Sequence, residues 1–330
     1  MNFGKSKRAL WAVSIASCIA SAFPASSAVG GESWPSRPIN LIVPFPAGGG
    51  GDTLARLVSE PLARELGQTI VIENKPGAGG NIGTATASRA EPNGYTLAYA
   101  TNGTQAINHW LYKTTGFSRD DFEPISRLTT IAAAVVVNPN DPYRTLQDLL
   151  DAARAKPGSL TCGSAGNGTT SHLACEQLKQ MAGVSIVHVP YKGGAAAMTD
   201  LMGGRLSLLI DVMPNVAPQI KANRLRALAV TTSERVASLP DIPTVAQAGV
   251  PGYSFFAWDA LYAPKGTPTV VLDRVNAAVR EVLSHPDVRA QLEVRGAQPA
   301  PTSREGLKAF SNEEYDRLGK VVRTAGAVID

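Results

Sequence analysis

Residues that bind metals or carry redox chemistry are scarce in this chain, with four histidines and three cysteines in 330 residues. His109, His172, His188 and His285 show no metal-ligand spacing, and no Cys-x-x-Cys occurs. The sequence therefore offers neither a zinc signature nor a dithiol motif, and no cofactor is expected. Long runs are missing as well. Past residue 28 no apolar stretch approaches the roughly 20 residues that a membrane helix needs, and no like-charge run or low-complexity tract interrupts the chain. The formal charge of +4 misleads, because Lys5, Lys7 and Arg8 precede every acid in the sequence. Without these three, 28 of the 31 basic residues face 27 acidic ones, a net charge of +1. Such a balance leaves no electrostatic footprint for nucleic acid.

What is present begins with an export pattern. "MNFGKSKR" is a positive opening, "ALWAVSIASCIASAF" an apolar stretch of about 15 residues, and Ser26 and Ala28 are the small residues of a cleavage site after Ala28. Ile15-Ala16-Ser17-Cys18 also resembles a lipoprotein cleavage box, but the apolar run continues past Cys18. The expectation is a periplasmic protein. Export leaves Cys162 and Cys175 in an oxidising compartment. They form either a disulfide or two small buried thiols. The distance of about 10 Å between a strand and its covering helix favours the thiols, since a bridge needs Cα atoms within about 7 Å.

From Ile39 onward short apolar strands alternate with helical stretches, which implies mostly parallel sheets covered by helices. The pattern occurs twice. Two longer apolar strands, "IAAAVVV" and the one near "FFAWDALYAP", read as crossings between two α/β lobes. The expected division is a signal peptide over 1–28, a first lobe over 29–136 plus 253–330, and a second over 137–252. Trp258 reads as core.

"PFPAGGGGDT" follows the strand "INLIV" and precedes a helix. The dinucleotide pattern G-x-G-x-x-G fails, with Thr53 or Leu54 at its third position, and no lysine follows to complete a phosphate loop. The pattern G-x-S-x-G fails at Ser164, where Cys162 replaces the first glycine. What survives is an anion site, since a strand end leading into a helix N-terminus presents free N–H groups and about +0.5 of charge. Asp52 would repel an anion, so it reads as a helix cap accepting from the N–H of Leu54 or Ala55. The second lobe repeats the device over Gly163–Thr170, with His172 either orienting the loop or simply buried. Asp211 either bonds a ligand or caps the following segment. No set of nucleophile, base and oxyanion hole assembles.

The ordered motifs "INLIVPFPAGGGGDTLAR", "VIENKPGAGGNIG", "GSAGNGTTSHLA", "VPYKGGAAAMTDLMGGRL" and "LRALAVTTSERVASLPDIPTVAQAGVPGY" resemble the Bug family, the extracytoplasmic receptors of tripartite tricarboxylate transporters. The resemblance covers essentially the whole mature chain. It implies a two-lobed periplasmic binding protein of type II, an α/β Venus-flytrap in which each lobe is a mostly parallel sheet flanked by helices. It also implies a ligand carboxylate held by Pro46, Ala47, Gly48, Gly49 and Asp52 in one loop. Ser164, Ala165, Gly166, Gly168, Thr169 and His172 would hold it in the other. Thr101 and Asn102, with Tyr191 and Asp211, would set specificity at the far end. The implied partners are a small organic carboxylate and the membrane permease subunits, with the receptor a monomer. The competing readings are an exported sensor, lipid-anchored at Cys18, and an exported α/β enzyme. Ala260, where the family usually has glycine, leaves the identity of the carboxylate open.

Overall fold

The computed structural model describes residues 34–324. The export segment and the Ala28 cleavage site lie outside them. Strands are β1 (Ile39–Val43), β2 (Ile70–Asn74), β3 (Thr96–Thr101), β4 (Phe122–Ile131), β5 (Ala133–Val137), β6 (Thr161–Ser164), β7 (Val187–Pro190), β8 (Leu208–Val212), β9 (Arg226–Val230), β10 (Ala257–Pro264) and β11 (Ala297–Pro299). Helices are α1 (Gly50–Leu66), α2 (Asn81–Ser88), α3 (Asn108–Leu111), α4 (Leu146–Ala155), α5 (Thr170–Ala182), α6 (Gly194–Met202), α7 (Met213–Lys221), α8 (Thr269–Ser284), α9 (Pro286–Val294) and α10 (Arg304–Thr324). Among the described residues no helix is long and apolar enough to cross a membrane.

The strands form two sheets, ordered β11-β4-β10-β3-β1-β2 and β7-β6-β8-β5-β9. In the first, β1 to β3 are parallel and β10 runs antiparallel to both β3 and β4. In the second, β6 to β8 are parallel and β5 runs antiparallel to β8 and β9. The two lobes thus share one plan. In each, four strands point the same way and the strand inserted against them arrives from the other sheet, while β11 adds a second reversed strand at the edge of the first. The apolar run "IAAAVVV" is divided rather than continuous: β4 ends at Ile131 and β5 begins at Ala133, so sheet membership changes at Ala132.

Each sheet buries its own core. Leu41, Val43, Leu54, Leu62, Val275 and Val279 fill the first, and Val135, Val137, Leu149, Leu173, Leu178 and Ile210 fill the second. Each such aliphatic side chain contributes roughly 1.5–3 kcal/mol when fully buried. Ile107 and Leu111, which follow β3, join the second core together with Leu318 and Val322 of α10. The C-terminal helix therefore spans from one lobe to the other. Trp258 is core, as expected: it packs edge-on against Phe310 at 5.3 Å and donates to Glu314 Oε2 at 3.1 Å.

The cysteines correct the expectation of free thiols. Cys162 on β6 and Cys175 on α5 form a disulfide, their Cα atoms 6.8 Å apart. The separation of strand and helix axes overstates the distance between residues whose Cβ atoms face each other, and 6.8 Å is within reach of a bridge. Both residues are fully buried.

Candidate functional site

Between the sheets lies a cleft of about 840 Å³, within the range of small-molecule sites. Its lining comes from strand-to-helix junctions. Pro46–Gly51 leads into α1, Gly77–Gly80 into α2, and Thr101–Gly103 into a π-helical turn over Gly103–Ile107. From the other lobe come the junctions before α5, α6 and α7. Parallel strands place all these junctions at the carboxyl edges of the sheets, where ligands bind in open α/β folds. Each helix start leaves N–H groups without intrahelical acceptors, so backbone supplies hydrogen-bond donors and partial positive charge to the cleft. Lys192 is the only basic side chain among the described lining residues, while Pro44, Phe45, Ile131 and Ala257 provide an apolar wall.

The first loop is braced from behind. Its N-cap is Gly49, not Asp52, and no side chain caps α1. Asp52 is buried and reaches back: Oδ2 accepts from the Gly48 N–H at 2.8 Å and from Arg56 Nε at 2.9 Å, and Oδ1 accepts from Asn74 Nδ2 at 2.9 Å. The expected acceptance from Leu54 or Ala55 is thus replaced by a bond to the loop itself. Asn74 also donates to the Phe45 carbonyl at 3.0 Å. Burial raises the Asp52 pKa, but the bonds from Arg56, Gly48 and Asn74 outweigh it and hold the carboxyl below its ordinary value. The Gly49 N–H is used by the Pro46 carbonyl at 3.2 Å. With the Gly48 and Gly49 N–H groups used inside the loop, donors that remain for a ligand include those of the first turn of α1, beginning at Gly50.

Asp52→Ala is expected to cost about 2–3 kcal/mol, because it strands the Arg56 and Asn74 donors and frees the loop. The Asp52 pKa is depressed in the folded state, so its stabilisation is fully present above the unfolded value of 3.8 and is lost as pH falls through the folded one. The difference in melting temperature between wild type and Asp52→Asn should be large at pH 7 and narrow progressively as pH falls below 3.8. A gap independent of pH would contradict this role.

The second loop is held the same way. Ser171 Oγ accepts from the Ala165 N–H at 2.8 Å, Ser164 Oγ from that of Gly166 at 3.2 Å, and His172 Nδ1 from that of Gly168 at 3.3 Å. His172 thus orients the loop, one of its two expected roles. Ala165, Gly166 and Thr169 line the cleft, whereas Ser164, Gly168 and His172 stand behind it, as Asp52 does in the first lobe. Donors toward the cleft come from the first turn of α5, Thr170 and Ser171, both cleft-lining. Thr170 Oγ1 also bonds Asn102 Oδ1 across the two lobes at 3.1 Å.

Thr101, Asn102, Tyr191 and Asp211 all line the cleft, as do Pro46, Ala47, Gly48 and Gly49. Asp211 stands just before α7, whose N-cap is Val212 with no side-chain cap, so the expected cap is not made; its carboxyl accepts instead from the Val212 N–H and from Asn215 Nδ2, each at 2.8 Å. Burial pushes its pKa up to about 6. Sequence reasoning missed Gly79, Gly80, Lys192, Gly193, Asn215 and Asp259, which also line the cleft. The "KPGAGG" loop had the same strand-to-helix placement as the first glycine loop and was the available signal. Asp259 had none.

Two contacts invite other chemistry. Ser164 Oγ lies 2.7 Å from His188 Nε2, a nucleophile–base distance. Ser164 is fully buried and outside the cleft lining, so no substrate atom reaches it. His172, Glu176 and His188 place ligand-type atoms within 4.8 Å of one another. The two imidazoles, however, stack at 4.1 Å and 21°, so their in-plane lone pairs do not converge on one point. Both oxygens of Glu176 are taken by Lys179 Nζ at 2.8 Å. Burial holds both histidines neutral, with pKa values lowered to about 4. The cluster supports the loop.

Comparison with known proteins agrees with this geometry. Residues 54–327 match the family model of the tripartite tricarboxylate transporter family receptor. BugT of Bordetella pertussis is 33% identical over 301 residues, covering 91% of this chain and 92% of that protein. An R. palustris protein solved with adipate superposes with a TM-score of 0.87 at 38% identity, covering 89% of this chain and 99% of that one. MatC from Rhodopseudomonas palustris, solved with bound malate, gives a TM-score of 0.81 at 32% identity, covering 88% and 100%. A two-lobed α/β fold with a backbone-lined cleft, matched over this length, places the chain in the receptor family of the tripartite tricarboxylate transporters.

Proposed function

We propose that the chain captures a small organic carboxylate between its lobes and presents it to the permease subunits of a tripartite tricarboxylate transporter. The observation that carries this reading is the convergence of strand-to-helix junctions from both sheets on one cleft. First-turn N–H groups of α1 and α5 grip one carboxylate, and the apolar wall accepts an aliphatic body. Asp52, Ser164, Gly168 and His172 act at one remove, by holding the two loops. The adipate and malate held by related proteins are ligands of the size and charge this cleft favours.

The lobes follow the sheets, with one crossing at Ala132 and the other between Val230 and Ala257. Membership of this receptor family supports a periplasmic location and a receptor that works by binding rather than catalysis; we infer cleavage after Ala28 from the small residues Ser26 and Ala28, and a monomer. Melting across a panel of dicarboxylates, tricarboxylates, sugars and cations tests the reading. At 100 times Kd a true ligand stabilises by about 2.7 kcal/mol, which raises the melting temperature by roughly 4 °C at this chain length. Shifts produced by sugars or cations alone would defeat it.

A further inference from the structure

The strand β10 enters the first sheet antiparallel to β3 and β4, so its opening residues lie beside the carboxyl ends of both. Asp259 pairs with Thr101 on one side and Thr129 on the other. Strand alternation turns Trp258 toward α10 and sends Ala257 and Asp259 to the opposite face, where both line the cleft. A register shift between Asp259 and Ala260 marks a bulge, a device that re-aims a side chain. The Asp259 carboxyl is 2% exposed and accepts from Thr129 Oγ1 at 3.1 Å. Among the described residues no basic side chain is paired with it. An acid buried without a cation, on the floor of a cleft built for anions, would repel its own ligand if ionised.

We propose that Asp259 binds the ligand as a carboxylic acid, donating its proton in a hydrogen bond to the captured carboxylate, so that capture becomes proton-coupled. The inference rests on the carboxylate-receptor reading. No covalent bond changes: one solvent proton moves to Asp259 when the anion enters, and leaves when it departs. Burial supports the acid form, raising the Asp259 pKa to about 7. Of the groups around it, Tyr99 on β3 stays neutral, burial raising its own pKa well above the ordinary value, and its hydroxyl, with that of Thr129 on β4, lowers the Asp259 pKa without outweighing burial. Asp52 on α1 acts on Tyr99 and is held ionised. Across the cleft stand Asp211, raised to about 6, and the Lys192 ammonium.

The sign follows from these positions. Below pH 7 the acid form is present before binding, and affinity is flat. Above it, the free protein has lost the proton and must regain it, so affinity falls by up to about tenfold per pH unit. Titration calorimetry with adipate and malate at pH 5.5, 7 and 8.5, in two buffers of different ionisation enthalpy, measures both affinity and protons taken up. The expected result is close to one proton per ligand at pH 8.5 and, once the protons that the ligand itself exchanges are subtracted by reference to Asp259→Asn, none at pH 5.5. Asp259→Asn supplies a permanent donor of the same shape and should bind with no proton uptake and no pH dependence, while Asp211→Asn keeps the uptake. Wild-type binding without uptake at every pH overturns the inference without requiring any variant. So does uptake abolished by Asp211→Asn alone, or tight pH-independent binding restricted to carboxylates that carry an ammonium group. Absence of binding by any carboxylate at any pH defeats the receptor reading itself.

Discussion

Gly168→Val is expected to weaken carboxylate binding by about 100-fold or more while the protein still folds. Gly168 belongs to the second lobe's loop, has φ +78°, and faces α3, which follows β3 of the first sheet and packs Leu111 into the second core. A Cβ there would meet Asn108 Oδ1, Leu111 Cδ2 at 2.9 Å and Tyr112 Cε2 at 3.3 Å. Left-handed backbone costs a non-glycine residue about 1–2 kcal/mol, but the larger effect is geometric. The side chain wedges the lobes apart at the seam where Thr170 meets Asn102 and Tyr112 meets the Asn167 carbonyl. A hundredfold loss corresponds to about 2.7 kcal/mol, which one wedge at a closed seam readily exceeds. Gly67→Ala provides the control, since Gly67 also has a positive φ, +73°, yet nothing lies within 4 Å of its Cβ position. It should lose stability and keep affinity. Equal affinities for Gly168→Val and wild type, measured by calorimetry, would show that the seam does not close around the ligand.

Removal of the disulfide has the largest expected effect on stability. The bridge spans 13 residues and encloses the entire second loop and the first turns of α5. Closing a loop of about that length constrains the unfolded chain by about 3 kcal/mol. For a chain of this size each kcal/mol moves the melting temperature by roughly 1.5–2 °C, so Cys162→Ala with Cys175→Ala should melt about 5 °C lower. Ligand affinity should fall as well, because β6 and α5 fix the ends of the loop that the ligand uses. Both cysteines are fully buried, so reductant should act only when the protein is partly unfolded. Unchanged melting in the double variant, or rapid alkylation of both thiols in the native oxidised protein, would contradict this.

Much of the site was readable before the fold was seen, and the reason is locality. A glycine-rich junction between a strand and a helix is specified by neighbours within a turn or two, and "PFPAGGGGDT" and "GSAGNGTT" carry that information themselves. The roles within the loops were less legible. Asp52 looked like a cap for its own helix, yet it is the loop's brace, because Asn74 at the end of β2 and Arg56 one turn on complete its hydrogen bonds. Ser164 and His172 looked like ligand contacts, but the loop consumes them as internal partners. Asp259 gave no sign at all. Its partner Thr129 lies 130 residues away in the chain, and only the antiparallel insertion of β10 brings them together.

The sequence by itself determined the alternation of strands and helices, the two lobes, the glycine junctions and, through its ordered motifs, the receptor family. These rest on periodicity and backbone freedom, which short stretches of chain encode. Tertiary structure decided which amides are spent inside each loop and which still face the cleft, that Cys162 reaches Cys175, and that a buried acid stands on the floor of an anion site. Those facts depend on strand order and on which strand returns from the other lobe. No local preference contains them, because each is a contact between segments that meet only once both sheets are assembled.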